Sequence, residues 1–139
     1  MSTKNKVVAV SGYFDPIHVG HLEMLTLAKK LGDKLIVIVN SDEQAKLKKG
    51  KAFMSAQDRA IIIKHLRMVD DVVIAVDKDG TVNETLRLIK PDIFANGGDR
   101  NFGEAPEKEL QKEWDLELVD GLGKKIRSSS DLTGLKELK

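Results

Sequence analysis

Apolar positions along this chain follow two rhythms that alternate. The runs "VVAV" at 7–10, "LIVIV" at 35–39, "VVIAV" at 72–76 and "IFA" at 93–95 are unbroken and mostly β-branched, the pattern of strands buried on both faces. Between them apolar residues recur every three to four positions. Leu22, Leu25, Ala28 and Leu31 mark a helix over 19–31, which Gly32 is placed to stop. Ser55-x-x-Asp58 and Thr81-x-x-Glu84 have the spacing of capping boxes and open helices over 56–68 and 82–90, the second halted by Pro91. Pro106 and its acidic neighbours suit the first turn of a shorter helix, and "LELV" at 116–119 suits a fifth strand. Ser128-x-x-Asp131 caps a final helix carrying Leu132, Leu135 and Leu138. The alternation predicts one α/β domain over 1–139, a Rossmann-like doubly wound fold on a parallel sheet of about five strands with right-handed crossovers. Such sheets bind ligands beyond the carboxyl ends of their strands.

Composition narrows the chemistry. Of 139 residues 41% are hydrophobic, enough to fill a single core. Lys and Arg number 23 against 22 Asp and Glu, so no overall charge draws the chain to nucleic acid. The absence of cysteine excludes disulfides, thiolate catalysis and Cys-ligated zinc. "MSTKNK" runs straight into the first apolar segment without the h-region of a signal peptide, and no apolar run approaches a membrane span. The expectation is a soluble, cytoplasmic protein with neither a membrane nor a nucleic-acid partner.

The stretch Gly12 to Gly20, "GYFDPIHVG", is the first strand-to-helix connection, the position where α/β domains hold phosphate. It contains neither G-x-G-x-x-G nor G-x-x-x-x-G-K-[ST], which argues against a dehydrogenase or a P-loop kinase. It offers His18 and His21 instead, one helical turn apart beside backbone N–H groups that favour an anion. Three roles are open to the pair. They can donate hydrogen bonds to a phosphate chain, or ligate zinc with a third ligand such as Asp15, or form a structural turn with His18 as cap and His21 on the solvated side.

"GYFDPIHVGH" resembles the HxGH signature of the nucleotidylyltransferase superfamily, cytidylyltransferase-like group, here His18-Val19-Gly20-His21. "RSSSDL", Arg127 to Leu132, resembles that superfamily's second motif, in the expected place near the other end. It departs from the pattern in lacking a basic residue after the serines; Lys124, Lys125 and Arg127 lie upstream instead. "VNSD" and the turn Asn96-Gly97-Gly98-Asp99 are similar to segments of the adenylyltransferase domain of the ADP-heptose synthesis enzyme, the small member that looks nearest. Glycerol-3-phosphate cytidylyltransferase and archaeal FAD synthetase also share the pattern.

The resemblance implies transfer of a nucleoside monophosphate from an NTP to a small phosphorylated acceptor, with Mg²⁺ carried by the NTP rather than by a protein-only metal site. It implies His18, His21, Lys49 and Ser129 as catalytic. Gly12, Tyr13, Phe14, Asp15, Gly20, Gly97, Asp99, Arg127, Ser128, Ser129 and Ser130 are implied in nucleotide binding, and Lys46, Lys49 and Arg59 in acceptor binding. Lys46, Lys48, Lys49 and Lys51 read as a flexible cationic loop, or as a solvated surface run. Arg59 also suits an ordinary surface ion pair, 97–99 a plain tight turn, and Trp114 a core or dimer contact. ATP is favoured over CTP, the alternatives being a cytidylyltransferase that makes a CDP-alcohol such as CDP-glycerol and a non-catalytic nucleotide-binding module. Small members of the family are often homodimers.

Overall fold

The unbroken apolar runs pair with one another. In a computed structural model that describes residues 6–50, 54–79, 81–97 and 106–122, they form β1 (Val7–Gly12), β2 (Lys34–Val39), β3 (Asp71–Ile74), β4 (Ile93–Gly97) and β5 (Glu117–Leu122). These make a single parallel sheet in the order β3-β2-β1-β4-β5. Helices α1 (Val19–Lys29), α2 (Asp42–Lys49), α3 (Ala56–Lys64) and α4 (Asn83–Ile89) and a 3₁₀ helix (Pro106–Lys112) fill the connections.

Alternation along each strand divides the core into two layers. Val8 and Val10 point to one face, where Leu25 and Ala28 of α1 and Ala56 and Ile63 of α3 cover them. Ala9, Ile38 and Phe94 point to the other, under Val82, Leu86 of α4 and Leu110 of the 3₁₀ helix. The chain builds outward from β1 to β3 and then returns to place β4 on the other side of β1. A crevice therefore lies beyond the carboxyl ends of β1 and β4.

Ser55 caps α3 as expected, its hydroxyl oxygen accepting the Asp58 N–H at 3.1 Å. Thr81 does not cap α4. The N-cap residue is Val82; Thr81 gives its N–H and hydroxyl hydrogen to Asp79 Oδ1, and its Oγ1 accepts the Asn83 N–H, at 3.4 Å, rather than that of Glu84. Buried Asp77 takes over, accepting the N–H groups of Glu84 at 2.7 Å and Thr85 at 3.1 Å. A carboxylate there also complements the positive end of the helix. The largest departure is α2, where the sequence reading expected a loop at 46–51. Ser41 and Gln44 close a capping box, and the helix runs to Lys49 before Gly50 stops it at φ 87°. The polar run "DEQAKLKK" has no apolar stripe to announce a helix. The final helix expected after Ser128 lies outside the described residues. Among the described residues no helix is long and apolar enough to cross a membrane.

Candidate active site

The β1–α1 connection folds back on itself as β1 ends. Phe14 adopts a left-handed backbone (φ 51°) and turns its ring inward, 2% exposed, over Gly12. A Cβ on Gly12 would stand 2.9 Å from that ring, so glycine is what lets the loop close this tightly. Asp15 Oδ1 accepts the Met54 N–H at 2.8 Å, which ties the loop to the α2–α3 connection. Burial raises the Tyr13 phenol above its ordinary pKa, so it remains a hydrogen-bond donor.

The two histidines cap α1 reciprocally. His18, the N-cap residue, accepts the Gly20 N–H on Nδ1 at 3.1 Å, while His21 accepts the His18 N–H on its own Nδ1 at 3.0 Å. The rings stack with centroids 3.9 Å apart, and the edge of Phe14 packs against His21 at 4.9 Å. Each Nδ1 is held as an acceptor, so in the neutral ring the proton must sit on Nε2. Desolvation lowers the His21 pKa to about 4, with the neighbouring His18 adding to the effect, and desolvation lowers that of His18 too. At neutral pH the helix start thus carries two uncharged imidazoles in one tautomer, each with an Nε2–H donor. The capping role and the donor role are compatible, because they use different ring nitrogens.

Beneath the loop lies a buried guanidinium. Arg59, 1% exposed, donates to the carbonyl oxygens of Met54 (3.1 Å), Tyr13 (2.7 Å) and Asn40 (3.0 Å) and to Asp42 Oδ1 (3.1 Å). It is neither a surface ion-pair residue nor an open acceptor contact: its donors join the β1–α1 loop, the end of β2, the start of α2 and the α2–α3 connection. Gln44, fully buried, does similar work beside it. Its Nε2 donates to the carbonyl oxygens of Asp79 and Thr81, and its Oε1 accepts from Asn40 Nδ2 and Ser41 N–H. Sequence reasoning missed Gln44 and Asn40, although Ser41-x-x-Gln44 has the spacing of a capping box.

Gly12, Tyr13, Phe14, Asp15, His18, Gly20 and His21 thus lie where the end of β1 passes through its loop into the first turn of α1, with Arg59 behind them and Gly97 closing β4, the strand beside β1. Lys46 is exposed on α2 and Lys49 ends that helix, so neither belongs to a loop. The side chain of Lys49 lies outside the described residues, as do Asp99, Arg127, Ser128, Ser129 and Ser130. Among the described residues no three His, Asp or Glu side chains converge on a metal position. Trp114 packs against the second core layer and donates Nε1–H to the Pro91 carbonyl oxygen at 2.8 Å, a core role.

A family profile described as cytidylyltransferase-like matches residues 9–125. The chain is 46% identical over 105 residues to an FAD synthase of Pyrococcus horikoshii, covering 73% of this chain and 70% of that protein. It is 39% identical over 117 residues to the bifunctional protein HldE of Nitratiruptor sp., 83% of this chain but 24% of that longer protein. The crystal structure of the lipopolysaccharide core biosynthesis protein from Thermoplasma volcanium GSS1 aligns with a TM-score of 0.74 and 29% identity, over 87% of this chain and 98% of that one. Identity to the FAD synthase exceeds that to HldE, whereas the motifs alone leaned toward the heptose enzyme.

Proposed function

The chain belongs to the cytidylyltransferase-like family and is a nucleotidyltransferase, and from that premise we propose that it transfers AMP from ATP to the phosphate of a small acceptor. FMN is the acceptor that similarity to FAD synthases favours. An acceptor phosphate oxygen attacks the α-phosphorus in line; one P–O bond forms as the bond to pyrophosphate breaks. No side-chain nucleophile is needed, so rate comes from positioning and from donors aimed at developing charge.

The observation that carries this reading is the pair of neutral, Nε2-protonated histidines at the start of α1. Their Nδ1 bonds fix both rings before substrate arrives, so little reorganisation accompanies reaction. Neutral donors answer charge that grows in the transition state without holding the triphosphate equally tightly in the ground state. Gly20 and Gly12 bring backbone close to the phosphates. Lys46 and Lys49 supply positive charge for the acceptor or the triphosphate, and Arg127 with Ser128, Ser129 and Ser130 seats the β- or γ-phosphate. Gly97 and Asp99 take the ribose and base. Mg²⁺ enters with ATP as part of the substrate, and Arg59 acts from behind as a positioning residue.

Pyrophosphate release from ATP·Mg²⁺ and from CTP·Mg²⁺ with FMN, a heptose phosphate and glycerol 3-phosphate tests the proposal. ATP-dependent release with FMN is expected. Release with CTP and glycerol 3-phosphate alone would assign a cytidylyltransferase, and nucleotide binding without any release would assign a binding module.

A further inference from the structure

Helix α2 follows β2 at the carboxyl edge of the sheet, and what attaches it to the fold is polar. Of its described side chains only Gln44 and Ala45 are buried, and Leu47 is 66% exposed. Neither core layer includes a described side chain of α2. Eight residues without an apolar stripe make a poor helix in water on their own, so tertiary bonds must fix both its shape and its place. One set holds its first residue: Asp42 Oδ1 accepts from the Arg59 guanidinium at 3.1 Å and from the Ala56 N–H at 2.8 Å. Bonds at a single residue leave a helix free to swing. Gln44 supplies a second attachment, to a different segment.

The side-chain amide of Gln44 is fully engaged. Nε2 donates to the Asp79 carbonyl oxygen at 2.8 Å and to that of Thr81 at 2.7 Å, while Oε1 accepts from Asn40 Nδ2 at 2.9 Å and from the Ser41 N–H at 3.1 Å. The reversed amide would set an oxygen against two carbonyls, so the bonds themselves assign this orientation. Asp79 and Thr81 belong to the connection from β3 to α4. Asn40 in turn gives its backbone N–H to the Gly12 carbonyl oxygen at 3.0 Å and receives an Arg59 bond on its own carbonyl, also at 3.0 Å. A line of hydrogen bonds therefore crosses the carboxyl edge from Gly12, at the end of β1, through Asn40 and Gln44 to the β3–α4 connection. Helix α2 rides on that line, bearing Lys46 and ending at Lys49.

We infer that Gln44 is a positioning residue for acceptor binding: its amide fixes α2, and with it Lys46 and Lys49, relative to the histidine loop. The inference rests on the adenylyl-transfer reading, within which it assigns these lysines to the acceptor, and deepens it. A charge on a fixed backbone loses less freedom when it meets a phosphate than one on a swinging helix, and the difference appears as affinity. All four bonds of the amide are made within the chain, so Gln44 acts only through what it holds.

The test compares four proteins: the wild type, Gln44→Met, the double variant Lys46→Ala/Lys49→Ala, and the triple variant that combines them. Equilibrium titrations give the affinity of each for α,β-methylene-ATP·Mg²⁺ and, with that analogue present, for FMN. Gln44→Met keeps the length of the side chain but not its donors. It is expected to weaken FMN binding about tenfold, the effect of one hydrogen bond, with affinity for the analogue unchanged. Where both lysines are already absent, the same substitution should change FMN affinity by less than about twofold, because what it positions is gone. A residue that only stabilises the fold lowers the fraction of protein that binds, not the dissociation constant of one ligand. An equal loss in both backgrounds, unchanged FMN affinity in Gln44→Met, or equal losses for FMN and the analogue would each overturn the inference. If Gln44→Met does not fold, Asn40→Ala, which removes one of the four bonds, carries the same comparison with an expected loss of about threefold. FMN affinity that the double lysine variant leaves unchanged overturns the inference while adenylyl transfer stands. A heptose phosphate replaces FMN throughout if the wild type binds that instead. A wild type that binds the analogue and neither acceptor overturns the inference and leaves the nucleotide reading standing; one that binds nothing overturns both.

Discussion

The two sides of the sheet's carboxyl edge treat polar groups in opposite ways. Around the β1–α1 loop the buried donors are engaged: Arg59 is bonded through all three guanidinium nitrogens, both amide atoms of Gln44 are paired, and each histidine Nδ1 takes a backbone N–H. Under α4 and the 3₁₀ helix, Asn83, Asn96 and Glu107 each leave a buried atom without a partner among the described residues. Bonds made before substrate arrives hold the histidine donors in place and leave little to reorganise during reaction. Among the described residues the two faces of one sheet thus differ in how completely their buried polar atoms are paired.

The most damaging way to erase that contrast is to open the bonded side. Arg59→Ala leaves the carbonyl oxygens of Tyr13, Asn40 and Met54 without their donor and should cost about 3–5 kcal/mol, read from urea unfolding. Arg59→Lys, which keeps the charge but not the fork, should recover only part of this. A loss below about 1 kcal/mol would show that the carbonyls find water and that the loop does not need the guanidinium.

Removing one Nε2–H donor acts on chemistry more than on folding. His21→Ala should lower turnover by about 10²–10³, as loss of an oxyanion-hole donor does, with a smaller change in KM for ATP. A tenfold rise in KM at constant kcat would instead mark the histidine as a ground-state binder.

Acid tests the same pair reversibly. The pKa of His21 falls from 6.5 to about 4 on folding, so the unfolded chain binds the extra proton between those values. The stability this neutral ring allows is complete above pH 6.5 and is lost as pH falls toward 4. Asp70, held below its ordinary 3.8 chiefly by its hydrogen bond from Lys29, enters largely below that window. Urea midpoints should therefore decline between pH 6.5 and 4.5 in the wild type and decline less in His21→Ala. The smallest expected effect is Ser41→Ala, about 1 kcal/mol from loss of the α2 cap.

Most of the sheet was legible because buried parallel strands show themselves as unbroken apolar runs, and His18 and His21 because few local patterns place two imidazoles at a strand-to-helix turn. α2 was not, since its hold on the fold is Gln44 and a capping box rather than an apolar stripe. Arg59 was visible as a residue but not as an interior one: an arginine among Gln57, Asp58 and Lys64 looks solvated until the loops closing over it are known. Thr81 was misread because spacing alone cannot tell that the Glu84 N–H a capping residue would bind is already taken by Asp77. Asn96 Nδ2, unpaired among the described residues, had no signal, because a bond that is missing leaves no trace in sequence.

The mutual cap of His18 and His21 also bears on how this loop can change over generations. Each ring holds a backbone group of the other's segment, His21 taking the His18 N–H and His18 the Gly20 N–H. A lineage that replaces either one loosens the helix start and the remaining donor in the same step. The two positions are expected to be coupled, so the loss of helix-start stability in a double replacement should be less than the sum of the two single losses.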